Sequence, residues 1–185
     1  MEWIQTVDIM ILTGLRNVFS TPCLDKPMIL ISSLGNNGFL WIALAILFFF
    51  VGNRKNPWRT WGILLVLCLG ANALVCNVLL KPMVARVRPY DLLGLDILVS
   101  PLSDFSFPSG HTSASFAAAA AIYSMNKKWG WVAFLFAVLM GFSRIYLGLH
   151  YPSDVFGGAV LGWVVAKNVI CVFERCVLKN KSRIL

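Results

Sequence analysis

The sequence predicts an all-α, polytopic membrane helix bundle with five transmembrane helices, or six if the N-terminal region adds one, preceded by an amphipathic helix at the membrane interface. Three observations carry this. Apolar residues make up 58% of the chain and charged residues only 13%, a balance outside the soluble range. The apolar residues cluster in runs approaching the ~20 residues that cross a bilayer, with almost no charge inside them. The positive charges gather in the connections that one face of such a bundle would carry.

Residues 2–19 place Trp3, Val7, Ile11, Leu15 and Val18 at helical spacing, with Glu2, Thr6, Thr13 and Asn17 elsewhere around the turn. Asp8 and Arg16 make a full crossing expensive, so this segment reads as a helix lying along the surface. A sixth span using part of residues 24–34 is the alternative. Acids at Glu2 and Asp8, where a secretory signal carries positive charge, argue against a cleaved targeting peptide. The expected spans follow at residues 38–52, 60–80, 111–126, 131–147 and 154–174, and the first can lengthen through the polar "SSLGNNG" if neighbours cover its backbone. "FAAAAA" reads as a close-packing helix surface. Cys23, Cys68, Cys76, Cys171 and Cys176 form no C-x-x-C pair and read as packing residues. The whole chain, 1–185, is expected to form one domain: an interfacial region over 1–34, a transmembrane bundle over 38–174 and a basic tail over 175–185.

Charge sets the expected orientation. Arg54, Lys55, Arg59, Lys127, Lys128, Arg175, Lys179, Lys181 and Arg183 share one face with a single acid, Glu174, while the other face is nearly balanced. Positive residues accumulate in cytoplasmic loops, so the basic face and the C-terminus are expected in the cytoplasm. The net charge of +8 thus belongs to a membrane face and not to a nucleic-acid groove, and no nucleic-acid partner is expected.

Three polar clusters then fall together on the extracytoplasmic face: "KPMVARVRPY" from Lys81, "FPSGH" from Phe107 and "SRIYLGLHYPSD" from Ser143. Singly, each has a plain explanation. Cations at a helix end anchor to lipid phosphates, Ser109 can be a helix cap, and His150 with Asp154 can be helix-start electrostatics. Together they suit a phosphoryl group. Guanidinium forks match its equatorial oxygens two at a time, and a lysine adds a point charge. Backbone N–H groups of Ser109, Gly110 and His111 at a helix start would point at the same oxygens. One neutral imidazole can attack phosphorus while another, protonated, donates to the leaving oxygen, and a carboxylate, Asp154, can orient the attacking ring. Reading H-x-x-x-D as a metal pair is disfavoured, because nearby arginines repel a cation.

The three clusters resemble the motifs of the type 2 phosphatidic acid phosphatase family, K-x-x-x-x-x-x-R-P, P-S-G-H and S-R-x-x-x-x-x-H-x-x-x-D. They match in order through Lys81, Arg88 and Pro89, then Pro108 to His111, then Ser143, Arg144, His150 and Asp154. The resemblance implies a metal-independent, cofactor-free phosphatase. It casts His150 as the nucleophile that becomes a phosphohistidine, Asp154 as its partner and His111 as the acid. Lys81, Arg88, Ser109, Gly110 and Arg144 become the phosphate cradle, while Arg86 lies outside the motif with at most an accessory role. A site level with lipid headgroups implies a lipid phosphate or diphosphate substrate; the outward-facing site and short chain resemble enzymes that dephosphorylate undecaprenyl pyrophosphate, with phosphatidylglycerophosphate and phosphatidic acid as alternatives. A non-catalytic lipid-phosphate-binding module is the rival of another class. A haloperoxidase of the wider superfamily is disfavoured by the membrane-spanning composition.

Overall fold

The computed structural model describes residues 2–52 and 57–181, all of whose regular structure is helical. Arg54, Lys55 and Arg183 of the basic face lie outside the described residues, as do the side chains of Lys179 and Lys181. The helices are α1 (Glu2–Phe19), α2 (Pro22–Leu34), α3 (Phe39–Val51), α4 (Trp58–Ala73), α5 (Lys81–Val84), α6 (Pro89–Leu93), α7 (Gly110–Met125), α8 (Lys127–Tyr146) and α9 (Pro152–Lys181). A short 3-10 turn, Asn36–Gly38, joins α2 to α3, and a π-helical segment, Leu74–Leu80, carries α4 into α5.

Three described segments are long and apolar enough to cross a membrane: Trp58–Leu93, Lys127–Tyr146 and Pro152–Cys176. A fourth arises if α2 and α3, bent by 51° at their junction, count as one broken span. The expected run 111–126 is the helix α7, whose 16 residues make it shorter than a usual crossing. α9 continues without a break through residues 175–181, the described part of the expected basic tail.

α7 is the central helix. Ala117 to Ala121 are buried against α3, α4, α8 and α9, and residues this small let backbones approach closely. Gly158 and Gly162, one turn apart on α9, complete that approach. A Cβ at Gly162 would stand 2.1 Å from the Ser113 carbonyl oxygen, so any side chain there pushes the two helices apart. Buried polar bonds add direction within an apolar core: Trp41 Nε1 donates to Ser115 Oγ at 3.1 Å, and Ser113 Oγ donates to Asn72 Oδ1. Large apolar side chains such as Phe50, Val66, Val78, Leu135, Val138 and Val172 face outward, as hydrocarbon solvent allows.

The alternation of helix directions brings one set of ends together. α5, α7, α8 and α9 contribute a C-terminus, an N-terminus, a C-terminus and an N-terminus to the same end of the bundle. α1, α2 and residues 94–109 cover that end. α1 lies against it through Leu12 and Asp8, both buried, and presents Trp3, Val7, Met10, Ile11 and Val18 outward. Its polar contact with the bundle is therefore on the face opposite its apolar stripe, an arrangement that suits the expected interfacial helix.

Candidate active site

At that covered end is a cavity of about 660 Å³ lined by Lys81, Arg88, Asp104, His111, Arg144 and His150, with Ser32 and Asn36 from the α2–α3 junction. Both histidines, separated by 39 residues of chain, thus face one space.

Local sequence explains each position. The π-helical segment before Lys81 inserts an extra residue per turn and re-aims the helix end, as such bulges do at functional sites. α5 stops at Ala85, held in the left-handed conformation with φ 48, and Pro89 starts α6 after an extended Arg88. Arg88 is buried and its donors are distributed among several acceptors: Nη1 to the Leu149 carbonyl at 2.8 Å, Nε to the Asp104 carbonyl at 2.8 Å and Nη2 to Asp104 Oδ1 at 2.6 Å. Lys81 Nζ is paired with Asp104 Oδ2. The Asp104 carboxylate, 49% exposed, therefore bridges two cations of the cavity. Partial burial works against its charge, but the Lys81 hydrogen bond and the Lys81 and Arg88 charges hold its pKa down at about 2.

His150 lies between α8 and α9, fully enclosed. Its Nε2 is 3.2 Å from Arg88 Nη1, and its Nδ1 is 3.6 Å from Asp154 Oδ2, an ion-pair approach longer than a hydrogen bond. Burial pushes its pKa down to about 3; the Asp154 contact opposes this, and the Arg88 and Arg144 charges reinforce it. The ring is thus neutral in the free protein. Asp154 is wholly buried in α9 and fixed from several sides: Oδ2 accepts from Ser106 Oγ at 2.5 Å and from the Tyr151 N–H at 2.9 Å.

His111 stands in the first turn of α7. Its Nε2 is 3.0 Å from Asn36 Oδ1, so the α2–α3 turn sets the ring's orientation. Gly35 makes room for this, since a Cβ there would press to 2.6 Å from the imidazole. Arg144 is 2% exposed. Its Nη1 donates to Ser32 Oγ, while Nε and Nη2 have no hydrogen-bond partner among the described residues.

Lys81, Arg88, His111, Arg144 and His150 are therefore brought to one cavity, with Asp154 directly behind His150. Gly110 lines an adjoining cavity of about 370 Å³ that shares Lys81, Asp104 and His111 with the first. Ser109 behaves differently from the expected oxygen-binding group. It is fully buried, its hydroxyl pairs with Thr112 Oγ1 at 2.9 Å, and its N–H donates to the Asp154 carbonyl at 3.1 Å. The first-turn N–H groups of Gly110 and His111 remain the donors that a helix start leaves without intrahelical acceptors. Arg86 is turned out of the cavity toward Asp154 and Asp8.

Ser32, Asn36, Asp104, Ser106 and Asp8 are site-associated residues that motif reasoning passes over. A signal existed for three of them: the polar run "SSLGNNG" entering an apolar helix, and an acid at Asp8 within a largely apolar helical segment.

Residues 59–177 match the PAP2 superfamily. The chain is 34% identical over 142 residues to the undecaprenyl-diphosphatase BcrC of Bacillus subtilis, covering 77% of this chain and 71% of that protein. It is 37% identical over 164 residues to phosphatidylglycerophosphatase B of the same organism, covering 76% of this chain and 71% of the relative. Its fold is similar to the crystal structure of a transmembrane PAP2-type phosphatidylglycerolphosphate phosphatase from Bacillus subtilis, with a TM-score of 0.76 and 32% identity over 95% of this chain and 88% of that one. Motifs, fold and relatives agree: the chain belongs to the PAP2 superfamily, the type 2 phosphatidic acid phosphatases that its three motifs resemble.

Proposed function

We propose that this membrane phosphatase hydrolyses the terminal phosphate of a lipid diphosphate, undecaprenyl pyrophosphate, giving undecaprenyl phosphate and orthophosphate. The observation that carries a phosphoryl ligand is Arg144. A buried guanidinium with two nitrogens unpartnered among the described residues, lining a cavity with Lys81, Arg88 and two histidines, is built to take an anion.

In the proposed cycle, His150 Nε2 attacks the terminal phosphorus and a P–N bond forms as the bond to the bridging oxygen breaks. The electron pair leaves with the lipid-phosphate oxygen, which takes a proton from His111. Asp154 orients the His150 ring and balances the charge it gains. Lys81, Arg88, Arg144 and the first-turn N–H groups of α7 hold the equatorial oxygens. Water, losing its proton to His111, then attacks the phosphohistidine, and orthophosphate departs with the P–N bond broken. No step needs a metal ion.

The substrate choice rests on the diphosphatase relative, and phosphatidylglycerophosphate is the second reading because a relative of similar identity carries that name. The chain acts as one domain with five spans, α3, α4, α7, α8 and α9, and α1 lies along the interface. The site is extracytoplasmic and the C-terminus cytoplasmic, which places Lys127, Lys128 and Arg175 on the inner face in accord with the charge rule. Purified protein in detergent with a chelator present is expected to release phosphate from undecaprenyl pyrophosphate faster than from phosphatidylglycerophosphate or phosphatidic acid. Release from none of the three would remove the proposal, and a different rank order would reassign the substrate.

A further inference from the structure

Arg86 falls outside every motif position, lines neither cavity of the site, and yet is among the most heavily bonded side chains at this end of the bundle. Its Nη1 donates to Asp154 Oδ1 at 2.6 Å and to Ser153 Oγ at 2.7 Å. Its Nη2 donates to Asp8 Oδ2 and Gln5 Oε1, both at 2.6 Å. The guanidinium lies over the Tyr151 ring, 4.0 Å from its centroid, which leaves its edge donors free for the carboxylates. Asp8, 78 residues away from Arg86, is itself buried. Its Oδ1 accepts the Ser153 N–H at 2.9 Å and its Oδ2 accepts from Ser153 Oγ. α1 thus supplies the cap of α9, the helix that carries Asp154.

We infer that Arg86, held in place by Asp8 of α1, is a positioning residue that keeps Asp154 charged and fixed behind His150. The inference rests on the phosphohistidine reading above. Asp154 is fully buried, and its other close partners are Ser106, the Tyr151 N–H and the neutral His150 ring. A carboxylate in that setting without a cation takes up a proton or moves, because uncompensated buried charge is costly. Arg86 is the cation on its free oxygen. It is also one cation between two carboxylates, so Asp154 keeps enough negative character to stabilise the imidazolium that forms when His150 attacks. The same interaction links catalysis to α1, whose opposite face exposes Trp3, Val7, Met10, Ile11 and Val18. The helix suited to lie on the lipid surface therefore completes the support of the reacting pair.

The test uses the full-length protein in detergent with undecaprenyl pyrophosphate and compares wild type with Arg86→Ala, Arg86→Lys and Asp8→Asn. Arg86→Ala is expected to lower kcat by about 10–100-fold, the usual effect of losing a partner that orients a reacting group. KM and inhibition by orthophosphate should stay within about twofold, since Arg86 does not reach the substrate. Arg86→Lys should recover part of kcat, and guanidinium ion added to Arg86→Ala should recover more than an equal concentration of sodium ion. Asp8→Asn should show the same split in milder form. An unchanged kcat in Arg86→Ala, or a raised KM with kcat intact, overturns the inference. If Arg86→Ala does not yield folded protein, Arg86→Lys and Asp8→Asn decide: full kcat in both overturns it. Absence of turnover in the wild type would instead remove the functional reading on which the inference rests.

Discussion

Replacing Arg144 with methionine should make the free protein more stable and the enzyme much worse. The guanidinium is 2% exposed, and among the described residues only Nη1 of its donor nitrogens has a partner, Ser32 Oγ. Removing a buried, under-compensated cation in favour of an apolar side chain of similar reach is neutral or stabilising by about 1–4 kcal/mol. Substrate binding is where the two unpartnered donors are used. A hydrogen bond to a charged group contributes about 1.5–3 kcal/mol, so losing two removes about 3–6 kcal/mol of transition-state stabilisation. That is roughly a 10²- to 10⁴-fold loss in kcat/KM. The assay is thermal unfolding in detergent, with and without orthophosphate, beside steady-state phosphate release. Wild type should be raised by orthophosphate, by about 2.7 kcal/mol at a hundred times its dissociation constant. Arg144→Met should start higher and respond little. A variant that melts below wild type, still responds fully to orthophosphate and hydrolyses within tenfold of wild type would refute the claim that Arg144 is reserved for an anion.

Asp104→Asn should tighten orthophosphate inhibition and lower KM by about 3–10-fold, because a half-exposed carboxylate worth about 1 kcal/mol no longer competes for Lys81 and Arg88; inhibition constants measured at neutral pH check this, and a raised KM contradicts it. His150 should make the protein acid-sensitive. Its folded pKa of about 3 lies below its ordinary value of 6.5, so the unfolded state binds the extra proton between those values and stability falls as pH drops below about 6.5. Unfolding midpoints from pH 7 to 4 should show His150→Gln with a flatter slope than wild type, by at most about 1.4 kcal/mol per pH unit. Gly162→Leu should prevent close packing of α7 on α9 and abolish the monodisperse folded species on size exclusion, since even a Cβ meets the Ser113 carbonyl. Cysteines placed near Ser103 and near Lys127 in a cysteine-free background should label from outside and inside the cell respectively; the reverse pattern would invert the proposed orientation.

The residues readable from sequence are those that stand in short motifs at helix ends. His150 and Asp154 are four residues apart, and Arg144 lies in the last turn of the preceding helix, so their convergence follows once the helices are drawn. Ser32, Asn36 and Asp8 are different. Each meets its partner across 112, 75 or 78 residues, through the path that α1 and α2 take over the end of the bundle, and composition does not specify that path. The π-helical segment was hidden for a related reason, because hydrophobic runs look alike at either helical pitch. Ser109 shows the opposite case. Its place in the motif is plain in the sequence, but the demand of Asp154's carbonyl for its N–H emerges only when α9 packs against α7.

The most direct test is to mix the enzyme with substrate labelled in its terminal phosphate, quench within milliseconds in alkali, and map the protein-bound label. A base-stable, acid-labile label on His150 that is absent from His150→Ala and long-lived in His111→Ala is the predicted result. Turnover with no label on His150, or label that survives its replacement, would contradict a phosphohistidine formed in this cavity.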